Sequence, residues 1–311
     1  MKKLVSIIIP AYNEADNIPH IINAIKNTFT NQVYNYEIII IDDGSKDHSI
    51  DVAREISLND LTVKFIELSR NFGKDQALKA GIDLATGNAL VTIDADMQHP
   101  PSLILEMIHQ WELGYEVVYA YRQEKNPDAK LKNKIGSKLF YKLVNFLSDI
   151  NLEDGIADYR LIDKKVIKTL SEISEYELFL RGMVKWIGFK QIGIPYTPSP
   201  RLTGESTYKI KTLIKLALHG ITSFSVKPLY TAVYLGFFLS VSSILYIPYV
   251  LYSFLANIEV SGWASIIMTI VFFGGLQLII LGIIGIYVGK MFMQTKNRPN
   301  YIIRSTNIPQ K

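Results

Sequence analysis

The sequence contains no cysteine. That excludes disulfides, thiolate zinc sites and a cysteine nucleophile. No Gly-x-Gly-x-x-Gly follows the first apolar run, and no Walker A sequence occurs anywhere. The usual glycine turns for a dinucleotide pyrophosphate or a nucleoside triphosphate are therefore missing. A bound diphosphate would have to be held by a metal ion and basic side chains instead. The excess of one sign of charge is also small: a net +4 at pH 7 is too little to argue for nucleic acid. In two stretches charge is absent altogether, between Lys227 and Glu259 and between Glu259 and Lys290. Met1-Lys2-Lys3 precedes a short apolar run that stops at Pro10, with Glu14 and Asp16 soon after. That run is too short for a secretory leader and is expected to be a first strand.

What is present is an alternation of two patterns. Leu4 to Ile9, Glu37 to Ile41, Thr62 to Leu68, Leu90 to Ile93 and Glu116 to Tyr121 are apolar, β-branched runs of strand length. Between them lie helical patterns, such as Ile18, Ile21, Ile22 and Ile25 between Ala15 and Thr28. Strands alternating with helices predict right-handed crossovers and a mostly parallel, Rossmann-like α/β sheet. Ligands in such sheets bind at the carboxyl ends of the strands. Polar residues gather there: Tyr12, Asn13 and Glu14 after the first run, Asp42 and Asp43 after the second, Asp94 and Asp96 after the fourth. Carboxylates spaced i, i+2, with Gln98 beside them, are hard oxygen ligands suited to Mg²⁺ or Mn²⁺. Asp94 or Asp96 could instead cap the helix that begins near Pro100-Pro101. Three acidic or polar strand ends in succession favour the metal reading.

Four segments carry a resemblance: Pro10-Ala11-Tyr12-Asn13-Glu14, Asp42-Asp43-Gly44-Ser45, Leu68-Ser69-Arg70-Asn71-Phe72-Gly73-Lys74 and Asp94-Ala95-Asp96-Met97-Gln98-His99-Pro100-Pro101. In this order they resemble the GT-A-fold inverting glycosyltransferases of family 2, in particular the polyprenyl-phosphate hexosyltransferases of the bactoprenol glucosyltransferase type. The resemblance implies a GT-A domain over residues 1–207. It also implies a nucleotide-sugar site made of Pro10, Tyr12, Glu14, Asp43, Asp94, Ala95, Asp96 and Gln98. Within it Asp96, with Asp94 and Gln98, is the expected metal set. Asp154-Gly155-Ile156-Ala157-Asp158-Tyr159-Arg160 stands where the family usually shows Asp-x-Gly-Asp-Phe-Arg, so Gly155 and Ala157 depart from the pattern while Asp158, the family's proposed base, is retained. A phosphate monoester acceptor is already largely dianionic near neutral pH and needs little deprotonation. Asp158 is therefore kept as catalytic, either as a base or as a group that orients the acceptor or a bound cation. Arg201-Leu202-Thr203-Gly204-Glu205-Ser206-Thr207-Tyr208-Lys209 is similar to the family's Arg-x-x-Gly-Glu-Ser-Lys-Tyr loop, with Thr207 in place of Lys. Arg201 is the expected fork on the donor diphosphate and a catalytic residue. Arg122 and Lys209 are further phosphate candidates, each also readable as a solvated surface cation.

The remaining segments concern a membrane. Ile135, Leu139, Leu143 and Leu147 recur at spacing four, as do Lys130, Lys134, Lys138 and Lys142. This fits a basic amphipathic helix on an anionic membrane, or an ordinary surface helix packed on the sheet. The lipid acceptor implied by the resemblance favours the first. Each uncharged run is roughly 30 residues against the ~20 needed to span a bilayer. Two transmembrane helices are predicted, at about 229–256 and 264–289 within 228–291, after a juxtamembrane amphipathic helix at 208–227 and before a tail at 292–311. Lys209, Lys211, Lys215 and Lys227 flank one side; Lys290, Lys296, Arg298 and Arg304 flank the other; the connection between the runs carries only Glu259. The positive-inside rule then puts the enzyme domain and both flanks in the cytoplasm, in a multi-pass protein of the plasma membrane. Gly274, Gly275, Gly282, Gly285 and Gly289 fit close helix contact within the hairpin or between copies of the chain.

The expected activity is inverting transfer of a hexose from a nucleotide sugar, UDP-glucose or similar, to a polyprenyl phosphate. A processive polysaccharide synthase shares the fold but usually has more membrane helices and a Gln-x-x-Arg-Trp motif, which is absent here. A non-catalytic nucleotide-sugar sensor would keep the cleft without the acids, which are present.

Overall fold

The computed structural model describes residues 2–123, 156–198, 221–256 and 262–309. The basic segment 130–150, Asp154, Gly155, Arg201 and Lys209 lie outside the described residues. Eight strands form one sheet in the order β7-β5-β6-β4-β1-β2-β3-β8. The first four are β1 (Leu4–Ala11), β2 (Asn35–Asp42), β3 (Val63–Leu68) and β4 (Ala89–Thr92). Their mutual pairings β1–β2, β1–β4 and β2–β3 are parallel. Helices α1 (Asn17–Phe29), α2 (Ser49–Asn59) and α3 (Lys74–Leu84) make the crossovers. Then follow α4 (Leu103–Glu112), β5 (Val117–Arg122), β6 (Ile156–Asp163), α5 (Lys164–Glu172), α6 (Leu180–Trp186) and β7 (Gln191–Tyr196).

The apolar runs are continuous because both faces of the sheet are covered. Successive side chains point to opposite faces. Thus Ile7, Ile9, Ile38 and Ile40 pack with α1 and α4 residues such as Ile21, Ile25 and Ile104. Ile8, Ile39 and Ile41 pack on the other side with Leu78 of α3, Val166 of α5 and Met183 of α6.

Two strands depart from the parallel pattern, and the sequence reading anticipated neither. β6 lies antiparallel between β4 and β5, with Thr92 opposite Arg160. Its start therefore lies at the same end of the sheet as the end of β4, which brings Asp158 beside Asp94. β8 (Ile303–Thr306), in the stretch read as a tail, is antiparallel to β3 and closes that edge. Arg304 Nη1 pairs with Glu67 at 3.2 Å, and Ser305 Oγ donates to Glu67 Oε2 at 2.6 Å.

Two long helices precede β8: α7 (Lys227–Leu255) and α8 (Trp263–Thr295). Among the described residues one stretch, Ser265–Thr295, is long and apolar enough to cross a membrane. Its Phe272, Leu278 and Ile279 are exposed.

Candidate active site

Strand order reverses between β1 and β4, because β1 continues to β2 while β4 lies on its other side. That is the switch point at which open α/β sheets form a crevice. A cavity of about 360 Å³ lies there, lined by Pro10, Tyr12 and Glu14 after β1, Asp43 after β2, Lys74 at the start of α3, and Asp94, Ala95 and Asp96 after β4. Seven of the eight residues expected to make the nucleotide-sugar site, all but Gln98, thus meet around one space, with Lys74 added.

The walls are set by local turns. Gly44 has φ of +67°, and a Cβ there would sit 2.4 Å from the carbonyl carbon of Arg70. Only glycine lets these two loops approach so closely. Asp43 then accepts hydrogen bonds from the amides of Phe72 at 2.7 Å and Gly73 at 2.9 Å. Its carboxylate therefore shapes the loop leading to Lys74 as well as lining the cavity. Asp42 Oδ2 accepts from Ser45 N at 3.2 Å and caps no helix, since α2 begins at Ser49. Glu14 is held by Asn17 Nδ2 at 2.6 Å. Tyr12 is 41% exposed, so its ring is available to a ligand.

The helix-cap reading of Asp94 and Asp96 does not hold: α4 begins at Leu103 with Ser102 as its cap. Asp96 Oδ1 accepts from Gln98 N at 3.2 Å across a tight turn in which Met97 has φ of +61°. A positive φ is costly for a bulky residue and persists where the surroundings impose it, most often at functional sites. Gln98 Oε1 lies 3.5 Å from Arg122 Nη2, and Arg122 Nε lies 3.4 Å from the Tyr196 hydroxyl. Arg122 ends β5 and Tyr196 ends β7, so both reach the same end of the sheet. Behind the turn His99 is buried between Tyr159, stacked at 5.1 Å, and Tyr196, edge-on at 5.6 Å. Burial lowers the His99 pKa against the pull of Asp94.

The charge arrangement is the main finding. Lys74 Nζ lies 2.6 Å from Asp94 Oδ1 and 3.2 Å from Asp158 Oδ2. Burial alone would lower its pKa, but the two carboxylates outweigh that and hold it above the ordinary lysine value. Asp158 is gripped from a second side by Arg181, with Nε at 3.0 Å and Nη2 at 2.7 Å, a bidentate fork. Arg160 adds a contact at 3.5 Å. Burial would raise the Asp158 pKa, but Lys74 and Arg181 hold it well below the usual carboxylate range. Asp75, the next residue on α3, is pushed up to about 6 by burial and by the charge of Asp158.

Sequence reading missed Lys74, Arg181 and Arg160 as site residues. Lys74 and Arg160 did stand inside segments compared with the family, and a cation beside an acidic cleft was a signal available for Lys74. Nothing in the local sequence of Arg181 pointed to Asp158.

The donor set of carboxylate and amide oxygens is of the kind that a hard divalent ion takes. Among the described residues no three of His, Cys, Asp and Glu form a closed cage. Charge makes the same argument. Glu14, Asp43, Asp94 and Asp96 line the cavity against the single cation Lys74 among the described residues. A diphosphate entering alone would be repelled; one entering with a divalent cation would not.

The sequence profile described as Glycosyl transferase family 2 matches residues 6–171. A Bacillus subtilis (strain 168) protein named as the uncharacterized glycosyltransferase YkcC is 43% identical over 302 residues, 97% of this chain and 93% of that protein. The SfII prophage-derived bactoprenol glucosyl transferase of Shigella flexneri is 35% identical over 304 residues, 97% of this chain and 98% of that protein. Among solved structures, the mannosyltransferase PcManGT from Pyrobaculum calidifontis, in complex with GDP-Man and Mn²⁺, superposes with a TM-score of 0.48 at 15% identity, over 96% of this chain and 87% of that one.

Proposed function

The chain belongs to glycosyl transferase family 2, and from that membership we propose that it transfers a hexose from a nucleotide sugar, UDP-glucose or similar, to a polyprenyl phosphate at the cytoplasmic face of a membrane. The observation that carries the lipid acceptor is the likeness to a bactoprenol glucosyl transferase, which runs through α7 and α8 as well as the sheet. The proposed arrangement is a catalytic domain over 1–207 and a hairpin of two membrane helices, with a surface helix before it.

The donor lies in the cavity at the switch point, its nucleoside between Pro10, Tyr12, Glu14 and Asp43. Asp96, with Asp94 and Gln98, would hold Mg²⁺ or Mn²⁺, which would supply neutralisation of charge on the departing diphosphate. Arg122, with Arg201 and Lys209 from outside the described residues, adds charge-assisted hydrogen bonds to the same phosphates. An oxygen of the acceptor phosphate attacks the anomeric carbon from the face opposite the leaving group. The bond from that carbon to the diphosphate oxygen breaks, and configuration inverts. Asp158 takes no proton in this scheme. Its depressed pKa makes it a poor base, and the acceptor is already dianionic. Its role is to fix Lys74 and Arg181 as a positive wall toward which the acceptor phosphate is drawn.

Lys74 is the link between the two halves of the site, because it touches Asp94 on the donor side and Asp158 on the acceptor side. Lys74→Met keeps the stem and removes the charge. Transfer is expected to fall about 100-fold, in keeping with loss of a positioning charge at a reacting centre, and the melting temperature should fall as well, because Asp94 and Asp158 lose a shared partner. Steady-state rates and a thermal melt in detergent check this.

The test of the whole reading is incubation of membranes carrying the protein with radiolabelled UDP-glucose and undecaprenyl phosphate. Label in the lipid extract is expected. Label found only in polymer would favour a processive synthase, and no label with any of several donors would favour a sensor.

A further inference from the structure

The last long helix touches the catalytic domain and the segment just before α7 along one stripe near its end. Tyr287 donates its hydroxyl to Ser225 O at 2.7 Å. Lys290 Nζ lies 3.1 Å from Glu177 Oε2 and 3.2 Å from Ser223 Oγ. Gln294 makes a paired contact: its Nε2 donates to Ser174 O, and its Oε1 accepts from Tyr176 N, both at 2.7 Å. Positions 287, 290 and 294 are spaced i, i+3 and i+7, so they share one face of α8.

What this face grips is the segment 174–177, which runs directly into α6. Leu178, Phe179 and Leu180 are buried, so displacement at 174–177 is carried into the helix rather than absorbed. Arg181, in the first turn of α6, is the bidentate partner of Asp158. The segment before α7 holds the same helix from another direction. The rings of Phe179 and Phe224 lie 6.1 Å apart, and a Cβ on Gly182 would come within 2.7 Å of both. The short helix bearing Arg181 is thus wedged between the chain that enters the long helices and the chain that leaves them.

We propose that Gln294 and Lys290 are positioning residues for glycosyl transfer: they set α6, and through it the fork of Arg181 on Asp158, from the end of the apolar helix α8. The proposal rests on the transfer reading above. It makes the membrane-side helix part of the catalytic architecture as well as an anchor.

The experiment uses the full-length protein in detergent and in liposomes. Gln294→Ala is expected to lower kcat for transfer to undecaprenyl phosphate about tenfold, with the KM for the nucleotide sugar unchanged, because the donor cavity is not touched. Arg181→Lys removes the fork, and adding Gln294→Ala to it should lower kcat no further, since both act through one contact. Lys290→Met should give a smaller loss in the same direction. Hydrogen exchange of the amides at 178–186 should rise in Gln294→Ala whether or not a suitable acceptor is present. Unchanged kcat and unchanged exchange in Gln294→Ala would overturn the proposal. So would losses that multiply in the double variant, or a raised donor KM with a fallen melting temperature, which marks general loosening. If the unaltered protein labels no lipid, the transfer reading fails, and the exchange measurement alone decides the positioning claim.

Discussion

Asp96→Asn is expected to lower transfer by about three orders of magnitude while leaving the protein folded. A divalent ion at a developing phosphate charge contributes on the order of several kcal/mol, and about 4 kcal/mol corresponds to a thousandfold in rate. The substitution removes one negative charge from the proposed ion site and keeps the side chain's shape. The turn survives, because the hydrogen bond that the Asp96 carboxylate accepts from Gln98 N is one that an amide oxygen can also accept. Two measurements separate loss of chemistry from loss of structure: the transfer rate at saturating Mn²⁺, and the thermal melt without metal. Calorimetric titration of UDP should show that the gain in affinity on adding Mn²⁺ is lost in the variant. Near-normal turnover would remove Asp96 from the ion site.

The parts of this site that were legible in the sequence share a cause. Ile7 to Ile9 and Ile38 to Ile41 are buried on both faces, and such strands announce themselves as unbroken β-branched runs. Once the strands are known, the positions just after them are known to lie at one end of a parallel sheet. Pro10, Tyr12, Glu14, Asp43, Asp94 and Asp96 could therefore be placed together without coordinates. What was hidden depends on chain reversals and on distant contacts. β6 is antiparallel, and Asp158 and Arg160 interrupt its apolar pattern, so no strand is predicted there from the sequence. β8 has four residues, too few for a periodic signal, and its stability comes from pairing with β3 and from Glu67 rather than from its own sequence. Arg181 meets Asp158 across 23 positions of chain and a strand–helix packing that no local pattern encodes. Asp43 shows the opposite case, in which the position was foreseen and an additional task, holding the Phe72 and Gly73 amides, was not.

Asp158→Asn is expected to reduce both transfer and stability. Removing one partner of a buried ion pair typically costs about 3–5 kcal/mol, because the other charge is left uncompensated. Here Lys74, Arg160 and Arg181 all face the carboxylate, whose side chain is only 15% exposed. The expected loss is therefore at the level of about 3 kcal/mol or more, with transfer reduced about 100-fold through misplacement of Lys74 and Arg181. The pH dependence has a definite sign. A carboxylate whose folded pKa is depressed stabilises the folded state above its unfolded pKa of about 3.9. That stability is lost as pH falls through the folded value. The contribution of Asp158 itself to the gap in stability between the unaltered protein and the variant should hold steady from about pH 5 upward and close in acid. Asp75 acts in the opposite sense. Its pKa is raised to about 6, so the folded state binds the extra proton between about pH 4 and 6, and stability falls as pH rises through that range. In Asp158→Asn the negative charge that helps raise Asp75 is gone and the freed cations face it instead. Its pKa should drop toward the ordinary value, and the decline in stability between pH 4 and 6 should flatten. Denaturation midpoints measured from pH 4 to 8 would show that flattening beside the overall loss. A variant as stable as the unaltered protein at pH 7 would mean that the three cations find other partners and that Asp158 does not organise them.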